Sequence, residues 1–250
     1  MIFRQLFEPE SCTYTYLFGC PGTRQAVLLD PVLETAERDL AVLKELGLRL
    51  AYTLETHVHA DHLTSAGRLK RLTGSKIAYP EMDHLACADV GVAEDKPLSV
   101  GSVTLKPLFT PGHTDHHHTY LVDMGAIGAI FTGDALLIDG CGRTDFQSGN
   151  AAMLYRSVTE KLFTLPDETL VYPAHDYSNR RVSSVGQERT RNPRLGGNTP
   201  LDEFTKIMNG LNLAYPKKID IAVPGNRVCG DYKEGVPEPM RQIHERSVQG

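Results

Sequence analysis

The chain has 250 residues, 41% hydrophobic and 23% charged, and a formal net charge of -5 from 26 Lys and Arg against 31 Asp and Glu. That length allows one sizeable core, and the ordinary apolar fraction excludes a disordered chain. The acidic balance excludes a broad basic face for nucleic acid while leaving room for a local positive pocket, and no run nears the roughly 18 apolar residues that a membrane span needs.

In chain order, the start "MIFRQLFEPESCTYTYLF" shows no basic-then-apolar leader, so the cytoplasm is the expected compartment. "YTYLFG" and "QAVLLD", either side of the turn signal "CPGTR", predict a hairpin. Ala36, Leu40, Leu43 and Leu46 recur at helical spacing from Glu34 to Leu46, and Gly47 supplies a stop. "LRLAYTLET" is strand-like and runs into His57. Asp61 is then an N-cap candidate for a helix with Ala66, Leu69 and Thr73 on one face, ended by "TGS". Further strands are predicted in "SVTLKPLF", "TYLVD", "GAIFTGD" and "TLVYPAH", with a helix carrying Leu154, Val158 and Leu162 before the last. There is no repeat or low-complexity linker, and a single domain over residues 1–250 is expected.

Residues of metal-ligand type collect at the ends of these strands. "THVHADH" puts His57, His59, Asp61 and His62 into seven positions; His113 follows "TPG", Asp134 follows "TG", and His175 ends "TLVYPAH". In a turning loop His57 and His59 share a side, so both rings can face one ion, while Asp61 and His62 can hold a second ion or orient the first pair. Strand-end loops on a rigid sheet are where such groups converge, so one metal site is the economical reading. The five cysteines, Cys12, Cys20, Cys87, Cys141 and Cys229, are scattered without a CxxC pair and are read as reduced thiols.

"THVHADH" is the HxHxDH signature of the metallo-β-lactamase superfamily, and "TPGH", "FTGD" and "YPAH" resemble its remaining metal motifs in the same order. The resemblance implies an α/β fold, the four-layer αββα sandwich. Within the superfamily, "GCGRTDFQSGN", "KLFTLPDETLVYPAHDY", "ERTRNPRL" and "AVPGNRVCG" are similar to the ETHE1-type persulfide dioxygenases. That likeness implies a single Fe(II) per chain on His57, His113 and Asp134, with His59, Asp61, His62 and His175 orienting them. It further implies glutathione persulfide and dioxygen as substrates, sulfite and glutathione as products, and a homodimer. The alternative, a glyoxalase II-like dinuclear zinc thioester hydrolase, has the same seven residues: His57, His59 and His113 on one ion, Asp61, His62 and His175 on the other, Asp134 bridging. A metal-stabilised binding or flavodiiron-like module is disfavoured because no second domain for a flavin fits.

Glutathione has two carboxylates, so cationic and hydrogen-bonding side chains are wanted beside the metal. Arg143, Tyr177 and Arg227 lie in the segments that resemble the subfamily, and Tyr177, two residues after His175, is also placed to act on a reacting oxygen; Arg180 and Arg181 are weaker candidates. "DHHH", with His116, His117 and His118, reads as solvent-facing or edge-packed, and Cys141 as a packed or redox-sensitive thiol.

Overall fold

In the computed structural model residues 1–230 are described, and the chain divides into two compact units. Of the described residues, the first comprises Met1–Val92, Ser99–Val103 and 215–230; the second comprises Ala93–Leu98 and Thr104–Ala214.

The first unit is built on a six-stranded sheet of β1 (Ile2–Glu8), β2 (Thr13–Gly19), β3 (Gln25–Leu29), β4 (Arg49–Leu54), β5 (Lys76–Pro80) and β6 (Val90–Val92), in that spatial order. The hairpin predicted from "CPGTR" joins β2 and β3 antiparallel, and from β3 to β6 the pairings are parallel. Parallel neighbours need a crossover, and here the crossovers are α1 (Ala36–Glu45) between β3 and β4 and α2 (Ala66–Thr73) between β4 and β5. Gly47 and Gly74, just past the two helices, adopt φ of +60° and +72°, the left-handed conformation that glycine takes at low cost. Leu17, Leu28, Leu43, Leu50 and Leu69 pack the helices onto the sheet.

The helix after "THVHADH" begins at Ala66, with Ser65 at its N-cap position, and not at Asp61. Asp61 is engaged elsewhere: its Oδ2 lies 2.9 Å from His62 Nδ1. The loop from residue 55 to 65 therefore stays irregular between strand and helix. In the same unit α6 (Ile219–Asn226) is followed by Cys229, which forms a disulfide with Cys87, Cα to Cα 6.0 Å. This corrects the expectation of reduced thiols throughout. The partners are 142 residues apart in sequence, so only the docking of the segment after α6 reveals the pair.

The second sheet has the order β12 (Ser183–Ser184), β11 (Leu170–Tyr172), β10 (Gly128–Phe131), β9 (His118–Asp123), β8 (Val103–Phe109) and β7 (Leu98–Val100). β8, β9 and β10 form an antiparallel meander, and β11 joins β10 parallel across α3 (Ala151–Arg156), which continues as a π turn over Ser157–Lys161. Ile130, Leu136, Leu154, Val158, Val171, Val185 and Phe204 make the core of this unit, with Val185 supplied by α4 (Val185–Arg191) and Phe204 by α5 (Leu201–Asn209). The predicted Leu154–Val158–Leu162 face is the buried one. Among the described residues no helix is long and apolar enough to cross a membrane.

Candidate metal centre

In the first unit "THVHADH" leaves β4 and turns beside the end of β3, and its three rings lie close together, tilted to one another. His57 and His59 have ring centroids 4.2 Å apart, His59 and His62 4.3 Å. All three are almost completely buried, and buried carboxylates organise them. Asp30, at the end of β3 with φ +50°, accepts from Thr56 N at 2.7 Å and from Thr56 Oγ1 at 3.0 Å. Thr56 has one hydroxyl proton and gives it to Asp30. Its oxygen therefore accepts from His57 Nδ1, 2.9 Å away, and the lone pair that His57 offers a metal is that of Nε2.

The His59 ring is held the other way round. Its Nε2 lies 3.1 Å from Asp30 Oδ1 and 3.3 Å from Glu55 Oε2. A carboxylate only accepts, so Nε2 carries the proton and Nδ1 the lone pair. His62 donates Nδ1–H to Asp61, leaving Nε2 as its ligand atom. His59 Nδ1 and His62 Nε2 are buried without a hydrogen-bond partner among the described residues. Leaving such an atom unsatisfied costs about 1–3 kcal/mol, and a metal ion takes both lone pairs. Burial alone would lower the His59 ring, but the Asp30 and Glu55 carboxylates outweigh it and hold it well above the ordinary histidine value; burial likewise pushes Glu55 up. The pocket therefore favours positive charge, either a proton on His59 Nδ1 or a metal ion in its place. His59, Asp61 and His62 present ligand atoms within 4.8 Å of one another. This donor set fits a metal ion.

In the second unit three strand ends bring together His113, Asp134 and His175. His113 follows the turn after β8, where Gly112 has φ +137° and a Cβ would sit 2.2 Å from Leu154 N. His113 Nδ1 donates to the Arg143 carbonyl at 2.8 Å, which again leaves Nε2 as the ligand atom. That Nε2 lies 3.3 Å from Asp134 Oδ2. Asp134 comes two residues after Thr132 in the loop closing β10, and Ala174 N bonds to the Gly133 carbonyl at 3.0 Å, which draws the end of β11 alongside. His175 Nε2 arrives 3.5 Å from Asp134 Oδ1. The Asp134 carboxylate thus stands between two imidazole nitrogens, and Oδ1 is buried without a hydrogen bond among the described residues. Gly142 packs on this cluster: a Cβ there would be 2.4 Å from the Asp134 carbonyl and 2.8 Å from His113 Nδ1.

The proposed substrate residues are more dispersed. Tyr177 is 74% exposed and its ring stacks on His175, 6.2 Å between centroids at 8°. The Arg143 guanidinium is already engaged, with Asp145 at 2.6 and 2.7 Å and the Ala214 carbonyl at 2.8 Å, and it lies over the Phe146 ring. Arg227 is exposed in the first unit. Arg180 braces a loop, bonding Asp176, Asp139 and the Ile138 carbonyl. Cys141 is buried against Met208 and burial pushes its thiol up to about 11, so it is a packed thiol.

The "DHHH" run corrects the expectation of a solvent-facing or edge position. His117 is fully buried; its Nδ1 pairs with Thr110 Oγ1 at 2.9 Å, and its Nε2 accepts from the Asp134 amide at 3.1 Å. His118 is buried as well. Sequence reasoning also missed Asp30 and Glu55. Their signal was only that each ends a strand beside a ligand loop.

The Metallo-beta-lactamase superfamily model matches residues 11–175. Persulfide dioxygenase ETHE1, mitochondrial, of Homo sapiens is 50% identical over 230 residues, covering 92% of this chain and 89% of that protein. The crystal structure of ETHE1 from Myxococcus xanthus matches with a TM-score of 0.88 at 52% identity, over 92% of this chain and all of that one. The hydroxyacylglutathione hydrolase of Polaromonas sp. strain JS666 is 36% identical over 66% of this chain and 62% of its own length. The chain belongs to the metallo-β-lactamase superfamily and, within it, to the family of the ETHE1 persulfide dioxygenases. Its fold is the α/β fold of that superfamily, with two mixed sheets flanked by helices.

Proposed function

We propose that this protein is an iron-dependent persulfide dioxygenase that converts glutathione persulfide, dioxygen and water to sulfite and glutathione. The observation that carries the reading is 50% identity to a persulfide dioxygenase over 92% of the chain. One Fe(II) would be held by His57, His113 and Asp134. Support lies in the wiring, since the Thr56 hydroxyl and the Arg143 carbonyl each turn an imidazole so that Nε2 is the ligand atom, and Asp134 supplies the carboxylate. Two histidines and one carboxylate suit Fe(II), which would supply redox chemistry toward dioxygen and a persulfide sulfur. His59, Asp61, His62 and His175 would orient the ligands and keep the pocket electronegative, and the burial of the three histidines would exclude bulk water from the reacting sulfur. Arg143 and Arg227 would meet the glutathione carboxylates, and Tyr177 would donate to the substrate or a reacting oxygen.

The second reading, a dinuclear zinc thioester hydrolase, is favoured by the lone pairs at His59 Nδ1 and His62 Nε2, of which the first would join His57 and His113 on one ion and the second Asp61 and His175 on the other. The two part on products. Sulfite formation with oxygen uptake supports the first reading; hydrolysis of a glutathione thioester without oxygen uptake supports the second. The chain is proposed to act as a single metallo-β-lactamase-like domain over residues 1–250 and as a homodimer, which sedimentation checks. Cytoplasmic placement is proposed from the sequence alone. The Homo sapiens relative is named mitochondrial, so fractionation of tagged protein is the test.

A further inference from the structure

The segment "AVPGNRVCG" resembles the subfamily, yet the proposed chemistry uses only its arginine. Its asparagine is fully buried, and its carboxamide spans more than 160 residues of sequence to reach the ligand loop. Asn226 Nδ2 donates to the His59 carbonyl at 2.9 Å and to the His62 carbonyl at 2.8 Å, while Thr64 N donates to Asn226 Oδ1 at 2.9 Å. Two carbonyls face one end of the amide and an N–H faces the other, so the orientation of the carboxamide is fixed. Both amide protons are used inside a loop that lacks regular secondary structure and so has no ladder of its own to satisfy those carbonyls.

The following residues fasten this contact. Gly67 N donates to the Cys229 carbonyl at 2.8 Å. Gly230, at φ +67°, lies so near that a Cβ would stand 2.1 Å from the Thr64 carbonyl. Cys229 packs with Val58 and Ala66 and is bound to Cys87.

We propose that Asn226 is a positioning residue of the metal-binding loop: its carboxamide holds the backbone of His59, His62 and Thr64 so that His59 Nδ1 and His62 Nε2 face the metal, and the Cys87–Cys229 disulfide anchors it. The role rests on His59 and His62 binding metal, as the dinuclear reading has them, and not on the identity of the metal or the reaction. Asn226→Asp keeps the shape but sets an oxygen against two carbonyls. Asn226→Gln keeps the amide and displaces it by one methylene.

Full-length protein is stripped with a chelator and titrated with cobalt(II), reading affinity and the ligand-field absorption spectrum, with the melting temperature of the apoprotein measured alongside. The aspartate variant is expected to bind cobalt roughly 10- to 100-fold more weakly with an altered spectrum, the glutamine variant to lose less, and Cys87→Ser to lose least, in the same direction. A lowered melting temperature with unchanged cobalt affinity and spectrum would make Asn226 merely structural and overturn the proposal. If the aspartate variant does not fold, the glutamine variant decides by the same criterion. Failure of the unaltered protein to take up cobalt would overturn the metal-binding reading itself, a result distinct from unaltered binding in the variants.

Discussion

The two sets of ligand-type residues are organised in opposite ways. In the first unit the donors are neighbours in one loop, and carboxylates fix the rings: buried Asp30 reaches His57 through Thr56 and His59 directly, and half-buried Asp61 holds His62. In the second unit the donors come from three separate strand ends, and backbone groups fix them: the Arg143 carbonyl holds His113, and the Asp134 amide is held by His117. Clustered donors repel no one in sequence but need buried charge to set their tautomers, because adjacent rings would otherwise compete for the same partners. Dispersed donors get their geometry from strand pairing, so neutral hydrogen bonds to the backbone suffice.

The largest expected effect falls on the residue that is itself a ligand. Asp134→Ala removes the only carboxylate of the proposed iron set, and bound iron and oxygen uptake should both drop to background. Elemental analysis beside an oxygen electrode checks this; iron and turnover retained together would break the assignment.

The contrast between the units is sharpened by comparing Asp30→Ala with His117→Leu. The first strips the acceptor from Thr56 N, Thr56 Oγ1 and His59 Nε2 at once, so metal affinity should fall roughly 10- to 100-fold and stability by about 2–4 kcal/mol. The second orphans the Asp134 amide and takes a partner from Thr110 Oγ1, which keeps its contact with Thr119 Oγ1, and should cost about 1–3 kcal/mol with a smaller loss of affinity. Chemical denaturation and metal titration of both variants provide the comparison. Equal losses would contradict the idea that the first unit depends more heavily on buried charge.

Substrate contacts come next. If Arg143 or Arg227 pairs with a glutathione carboxylate, a charge-assisted bond of about 1.5–3 kcal/mol is lost on changing it to Gln. This corresponds to roughly 10- to 150-fold in kcat/KM with iron content unchanged, mainly as a raised KM. The effect should shrink for a small persulfide without those carboxylates. Equal loss with both substrates would assign the arginine to structure, a role the Asp145 and Ala214 contacts of Arg143 already suggest.

The smallest effect is on stability, away from the metal. Asp39 is buried on α1 beside Arg38; burial, only partly offset by that guanidinium, raises its carboxyl from 3.8 to about 6. A raised carboxyl stabilises the fold when protonated, so its contribution is complete below pH 3.8 and lost as pH climbs through about 6. Asp39→Asn should therefore stabilise the protein at pH 7 by roughly 1–3 kcal/mol, and the gain should fade as pH drops toward 4. Melting curves across that range would contradict this if the gain were independent of pH.

Most of this organisation could be read from the chain. Strand ends carrying His57, His113, Asp134 and His175 were legible because strand periodicity and turn residues mark where each sheet stops. The fixing groups were not. Asp30 and Glu55 look like ordinary polar residues ending strands, and only parallel pairing of β3 with β4 brings Asp30 beside the loop. The burial of His117 is hidden in the sequence because a histidine run resembles a solvated tract. The pairing Thr110 N to His117 O at 2.9 Å extends the ladder of β8 and β9 and takes the side chain into the interior. Asp61 has the chemistry of an N-cap, but His62 claims its carboxylate first. The cysteine pair was hidden by a separation of 142 residues.

The central claim is tested most directly by metal stoichiometry against turnover. Protein purified without added metal is analysed for iron and zinc, and oxygen uptake and sulfite are measured with glutathione persulfide across samples of differing iron content. Activity should be proportional to iron, reaching its limit at about one iron per chain. Full activity in protein carrying two zinc ions per chain, with no dependence on iron, would contradict it.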